Sequence, residues 1–171
     1  SAGGHQQPVR AVAQSMEHRP ARVRVRQHRM RAGNEAVVSP HALGRDRRRY
    51  CDDDERSQHK GEREAANAVE EGIRTLKIKV GVDPDRDVER VRRVRDTVGQ
   101  VIAICIDANQ GYATPGEAIQ TYRRLESCRI KYFEQPVEGI AGLAQVARAI
   151  DTPVMADESA WNAHDVIEII E

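Results

Sequence analysis

Apolar runs that read as strands recur about every 25 residues in the second half of this chain, each followed by a run with helical spacing. They are LKIKVG, ICIDAN, YFEQP and VMADES, which place strands near 74–80, 102–107, 130–134 and 153–157. Each run ends on a residue able to bind a metal ion or move a proton: Lys79, Asp107, Glu134, and Asp157 with Glu158. This alternation restricts the chain to an α/β fold with a parallel sheet, whose crossovers need intervening helices. In a (β/α)8 barrel all strands run the same way and their C-terminal ends converge on one mouth. An open sheet concentrates its site at one switch point. Functional groups on every successive strand end favour the barrel, of which about four βα units are legible.

The helices carry their own punctuation. GEREAANAVEEG has an Ala65, Ala66, Val69 stripe and closes on Gly72. Asp83-Pro84 supplies an N-cap and an N1 proline for a helix with Val88, Val91, Val94 and Val98 inward and its arginines facing solvent. Thr114-Pro115-Gly116-Glu117 fits a capping box before the Ala118, Ile119, Tyr122, Leu125 stripe. Ile140, Leu143, Val146, Ala147 and Ile150 mark the next helix, and HDVIEIIE begins another.

The first 61 residues have a different composition. Up to Lys60 the chain has five of its six histidines, one leucine and no Ile, Phe or Trp. VRVRQHRMR alternates briefly, and GRDRRRY precedes an acidic run. Such a segment buries too little apolar surface to offset the entropy of ordering, so residues 1–61 are expected to be a disordered unit and 62–171 the barrel portion. A wrong reading frame upstream of codon 62 would also produce this composition; the nucleotide sequence decides it, since an alternative frame should then encode apolar strands and helices.

Lys+Arg and Asp+Glu balance at 27 each, which argues against a nucleic-acid-binding chain as a whole. A basic arm gripping phosphates through RVRVRQHRMR is the rival reading, weakened by the lack of interleaved aromatics. An inert structural fragment is a third. Cys51, Cys105 and Cys128 form no CxxC pair, so a reducing, cytoplasmic setting is expected. No apolar run approaches a membrane span, and SAGGHQQPVR lacks a signal-peptide core. Starting on Ser and ending inside a helical pattern, the chain reads as a piece of a longer one.

Lys77 and Lys79 lie two apart in one strand and share a face. Crowding and burial of two ammonium groups is a route by which lysine becomes a general base. Asp107, Glu134 and Asp157 offer hard oxygen ligands suited to Mg²⁺. Glu158 is a fourth ligand or a supporting partner, and Asn109 and Gln110 follow Asp107 closely enough to reach the mouth.

LKIKVG, DANQGY, FEQPV and ADES, in this order and about one βα unit apart, resemble the enolase superfamily in its mandelate racemase and muconate-lactonizing branch. The resemblance covers about residues 62–171. It implies a Mg²⁺-dependent isomerase or lyase that abstracts the proton α to a carboxylate through an enediolate intermediate. The substrate would be a small carboxylate and the parent enzyme a homo-oligomer. It also implies that Lys79 is the base, that Lys77 assists it electrostatically, and that Asp107, Glu134 and Asp157 hold the metal. ADES, with Asp before Glu, looks more like the muconate-lactonizing, dipeptide-epimerase and succinylbenzoate-synthase side. Residues 1–61 do not resemble the family's capping domain, and its second acid/base lysine would lie beyond Glu171. An isolated half-barrel of this kind should leave two sheet edges unpaired and be inactive.

Overall fold

The computed structural model describes residues 23–25, 35–38 and 54–170. Four strands fall where the apolar runs place them: β3 (Thr75–Lys79), β4 (Ala103–Asp107), β5 (Ile130–Glu134) and β6 (Val154–Ala156). Between them run α2 (Pro84–Val98), α3 (Pro115–Arg123) and α4 (Ile140–Ala149), preceded by α1 (Asp54–Glu70) and followed by α5 (Ala163–Ile170). These strands pair in parallel and lie side by side in chain order. A sheet wound in one direction without reversal is the winding of a (β/α) barrel, as expected.

Most of residues 1–61 lies outside the described residues. The described parts of that segment are two short strands and the start of α1. β1 (Val23–Val25) pairs in parallel with β6, and β2 (Glu35–Val38) with β3, so both edges of the four-strand sheet are covered. The reason is available in VRV and EAVV: each carries β-branched residues, and an existing edge satisfies the backbone groups that a lone strand would leave to water. Helix α1 likewise starts at Asp54, eight residues before Glu62.

The caps agree with the sequence reading. Asp83 accepts from the N–H groups of Asp85 and Arg86, and Thr114 Oγ1 from that of Glu117. The Glu117 carboxylate returns to Ala113 N, one residue earlier than a capping box requires. The α2 arginines do not all face solvent. Arg95 is buried, its guanidinium donating to the carbonyls of Gly99, Ile102 and Cys128 and so satisfying backbone acceptors beyond the helix end.

Leu76 and Ile78 of β3, Ile104 and Ile106 of β4 and Phe133 of β5 are fully buried, in one core with Val88, Val91 and Val94 of α2 and Leu143 and Val146 of α4. The opposite face of the same strands carries Lys77, Lys79, Cys105, Asp107 and Glu134. One irregularity aligns them. Ile104 is level with Ile130 but Ile106 with Phe133, so β5 holds one extra residue against β4. Beyond that shift, Asp107 is level with Glu134.

Candidate active site

Lys79, Asp107, Glu134 and Met155 form one row across the sheet, each level with the next. Three members of that row are the strand-end groups singled out in the sequence. Lys79 Nζ donates to Asp107 Oδ2 at 2.7 Å and to Asn109 Oδ1 at 2.6 Å. Lys77 Nζ lies 2.6 Å from Glu134 Oε2 and 3.7 Å from Asp107 Oδ2. The two ammonium groups are thus divided between two carboxylates. Lys77 is 6% exposed and Glu134 0%, so that pair is enclosed by protein, whereas the Lys79 side chain keeps 34% of its surface open. Of the two lysines, only Lys79 is open enough to meet a solute.

Asn109 links the row to the loop after β6. Its Nδ2 donates to Glu158 Oε1 at 2.8 Å while its Oδ1 accepts from Lys79, so one amide joins the lysine to the ADES segment. Asp157 and Glu158 lie in a turn just past β6, whereas the apolar run carries the strand to 157. Asp157 is tied in through its backbone N–H, which donates to Gln135 Oε1 at 2.8 Å. Gln110 contributes its backbone N–H to the Gln135 carbonyl at 2.8 Å. Asn109, Gln110 and Gln135 all have positive φ, at 44°, 63° and 37°. Left-handed backbone at three non-glycine residues marks loops held against local preference, which is common at functional sites.

Behind the row, Asp87 of α2 is fully buried beneath the loop that follows Lys79. Its Oδ2 accepts from the N–H groups of Gly81 and Val82 and from the Tyr112 hydroxyl. Arg90 spans from Asp87 Oδ1 to the carbonyl of Lys79. Burial pushes the Asp87 carboxyl up, opposed by Arg90, the two N–H groups and Tyr112. Burial and the neighbouring Asp87 also push the Tyr112 phenol up. Close backbone approach completes the junction: a Cβ on Gly111 would stand 2.1 Å from the Gly81 carbonyl oxygen.

The sequence reading misses Asp87 and Gln135. Asp87 lies one turn before Val91 on the buried face of α2, so an acid on an apolar stripe is the signal. For Gln135 the signal is weaker, a glutamine inside an otherwise buried FEQPV run.

The residues suit a divalent cation in kind. They are hard oxygen donors on adjacent strand ends, and Glu158 Oε2 is buried with no hydrogen-bond partner. Among the described residues, no group of three or more Asp, Glu, His or Cys stands close enough together to hold a metal ion. The lysines fill that role electrostatically, each on a carboxylate expected to ligate metal. No helix among the described residues is long and apolar enough to cross a membrane.

A one-way parallel winding with a lysine and carboxylates on successive strand ends is the arrangement of a barrel mouth. Residues 61–171 match the model of the enolase C-terminal domain-like family, and the chain belongs to it, in the mandelate racemase and muconate-lactonizing branch of the enolase superfamily. It is 40% identical over 113 residues to an L-Ala-D/L-Glu epimerase of Clostridium acetobutylicum, covering 64% of this chain and 31% of that protein. An N-succinyl-L-Arg/Lys racemase of Bacillus cereus is 34% identical over 110 residues, or 63% of this chain and 30% of that protein. Among solved structures, a substrate-liganded L-Ala-D/L-Glu epimerase from Bacillus subtilis superposes with a TM-score of 0.67 at 33% identity, covering 80% of this chain and 35% of that one. A dipeptide epimerase from Enterococcus faecalis complexed with Mg and L-Leu-L-Tyr gives 0.63 at 37% identity, covering 66% and 32%. The chain spans about a third of the length of the curated relatives it matches.

Proposed function

We propose that residues 62–171 are the part of a Mg²⁺-dependent enzyme that takes the proton α to the carboxyl or carbonyl group of a small acid. The row from Lys79 through Asp107 to Glu134 is the observation that carries this reading. Lys79 is the base: it is the more open lysine, its ammonium is aimed by Asp107 and Asn109, and Arg90 fixes its carbonyl. Lys77 stays on Glu134 and adds positive potential beneath the reacting carbon. Asp107, Glu134 and Asp157 hold Mg²⁺, while Glu158, Asn109 and Gln110 steady the rim. When bound, the cation offsets the second negative charge that an α-deprotonated carboxylate develops. A cation there would compete with the two ammonium groups for the oxygens of Asp107 and Glu134.

The substrates of the relatives support a narrower class. L-Ala-D/L-Glu, hydrophobic dipeptides and N-succinyl-Arg/Lys are all N-acylated α-amino acids, and we propose that class, with racemisation or epimerisation as the outcome. The test is a chimaera in which residues 62–171 replace the matching third of the B. subtilis epimerase, assayed for exchange of the substrate α-proton in D₂O. Exchange is expected with a dipeptide or N-succinyl amino acid, and Lys79→Ala should slow it about 10²–10⁴-fold. An unchanged exchange rate in that variant would remove Lys79 as the base.

A further inference from the structure

Gln135 carries more of the site than its place beside Glu134 suggests. It is fully buried, and its side-chain amide makes four hydrogen bonds. Nε2 donates to the Val137 carbonyl at 2.9 Å and to Ser159 Oγ at 2.8 Å, and Oε1 accepts from the N–H groups of Asp157 at 2.8 Å and Ser159 at 3.2 Å. Its two donors and both acceptor positions are therefore used, the full capacity of a primary amide. Its main chain is equally committed, with N–H on the Met155 carbonyl and C=O receiving Gln110 N. One residue thus joins the end of β5 to the Asp157–Ser159 turn on one side and to the Asn109–Gln110 turn on the other.

β6 ends at Ala156 and Asp157 follows it in a turn, where the Gln135 Oε1 accepts from the N–H groups of Asp157 and Ser159. We infer that Gln135 is a positioning residue: its side-chain amide holds the backbone of Asp157, and so sets where the Asp157 carboxylate is presented. The residue touches neither reacting atoms nor metal. The inference rests on the reading of Asp157 as a Mg²⁺ ligand.

Q135N and S159A, made in the full chain, test it together. The first keeps the amide but is one methylene too short; the second keeps Gln135 whole and removes only the hydroxyl that its Nε2 meets. Hydrogen exchange should accelerate about tenfold or more at the Asp157 and Ser159 amides of Q135N, with the Phe133 amide inside the sheet unchanged. S159A should keep the Asp157 amide close to wild type. Titration with Mg²⁺ alone should show affinity weakened about tenfold in Q135N and kept in S159A. Unchanged exchange at Asp157 in Q135N overturns the inference, and so does faster exchange with undiminished Mg²⁺ affinity. If the unaltered chain binds no Mg²⁺ while the exchange pattern follows the expectation, the metal assignment fails and the hold of Gln135 on the Asp157 backbone stands.

Discussion

Replacing Lys77 with Met removes the cation from a carboxylate with no exposed surface. At 2.6 Å and an effective dielectric of about 20, Coulomb's law gives the Lys77–Glu134 pair a gross attraction of about 6 kcal/mol. Desolvating the two ions costs several kcal/mol each, so the pair adds little net stability. Lys77→Met leaves the Glu134 cost in place and should lower stability by about 3–5 kcal/mol, a large part of the roughly 5–15 kcal/mol typical of a domain. Lys77→Met with Glu134→Leu removes both charges and should lie within about 1–2 kcal/mol of wild type. The assay is urea unfolding followed by far-ultraviolet circular dichroism, with chelator present, on the two single variants, the double variant and wild type. Added Mg²⁺ should restore part of the Lys77→Met loss, because a second cation can then balance Glu134. A coupling energy below about 1 kcal/mol would refute the reasoning, since it would mean that neither ion depends on the other.

Gly111→Ala should destabilise the chain by about 1–3 kcal/mol or more, measured by thermal unfolding, because the new methyl meets the Gly81 carbonyl oxygen rather than a side chain that can turn away. For Asp87 the folded carboxyl titrates above its ordinary 3.8, so the folded state binds more protons than the unfolded one between those two values. Its contribution is complete below that pH and lost as pH rises through the raised value. Stability relative to Asp87→Asn should therefore fall between about pH 3.5 and neutrality, where urea midpoints of the two proteins can be compared; a pH-independent difference would contradict it.

Lys79, Asp107 and Glu134 are legible in the sequence because each closes an apolar run, and a charge at the end of a buried strand is costly unless it meets a partner or an opening to solvent. Their mutual alignment is not legible, because no pattern of period two reports an extra residue in β5. The apolar run carries Asp157 into a strand that in fact ends one residue earlier; burial on both faces hides where a ladder stops. VRV and EAVV escape a reading by pattern because arginine-rich surroundings mask three- and four-residue strands that exist only by pairing with a formed edge. The tertiary partners of Asp87 and Gln135 lie in other loops, beyond what local spacing can express.

The extra residue in β5 also decides where this gene can change length. If Ile106 stood level with Tyr132, Asp107 would fall beside Phe133, whose ring belongs to the apolar core, and Glu134 would be one step past the row. A single codon lost between Ile130 and Phe133 would remove the surplus and leave Ile106 level with Phe133 and Asp107 with Glu134, whereas a codon gained there would add a second surplus residue before the row. A codon gained or lost at the exposed Glu138–Gly139 turn would disturb neither. Insertions among natural variants should therefore gather in the connecting turns, while β5 can lose its one surplus residue and keep the two carboxylates side by side.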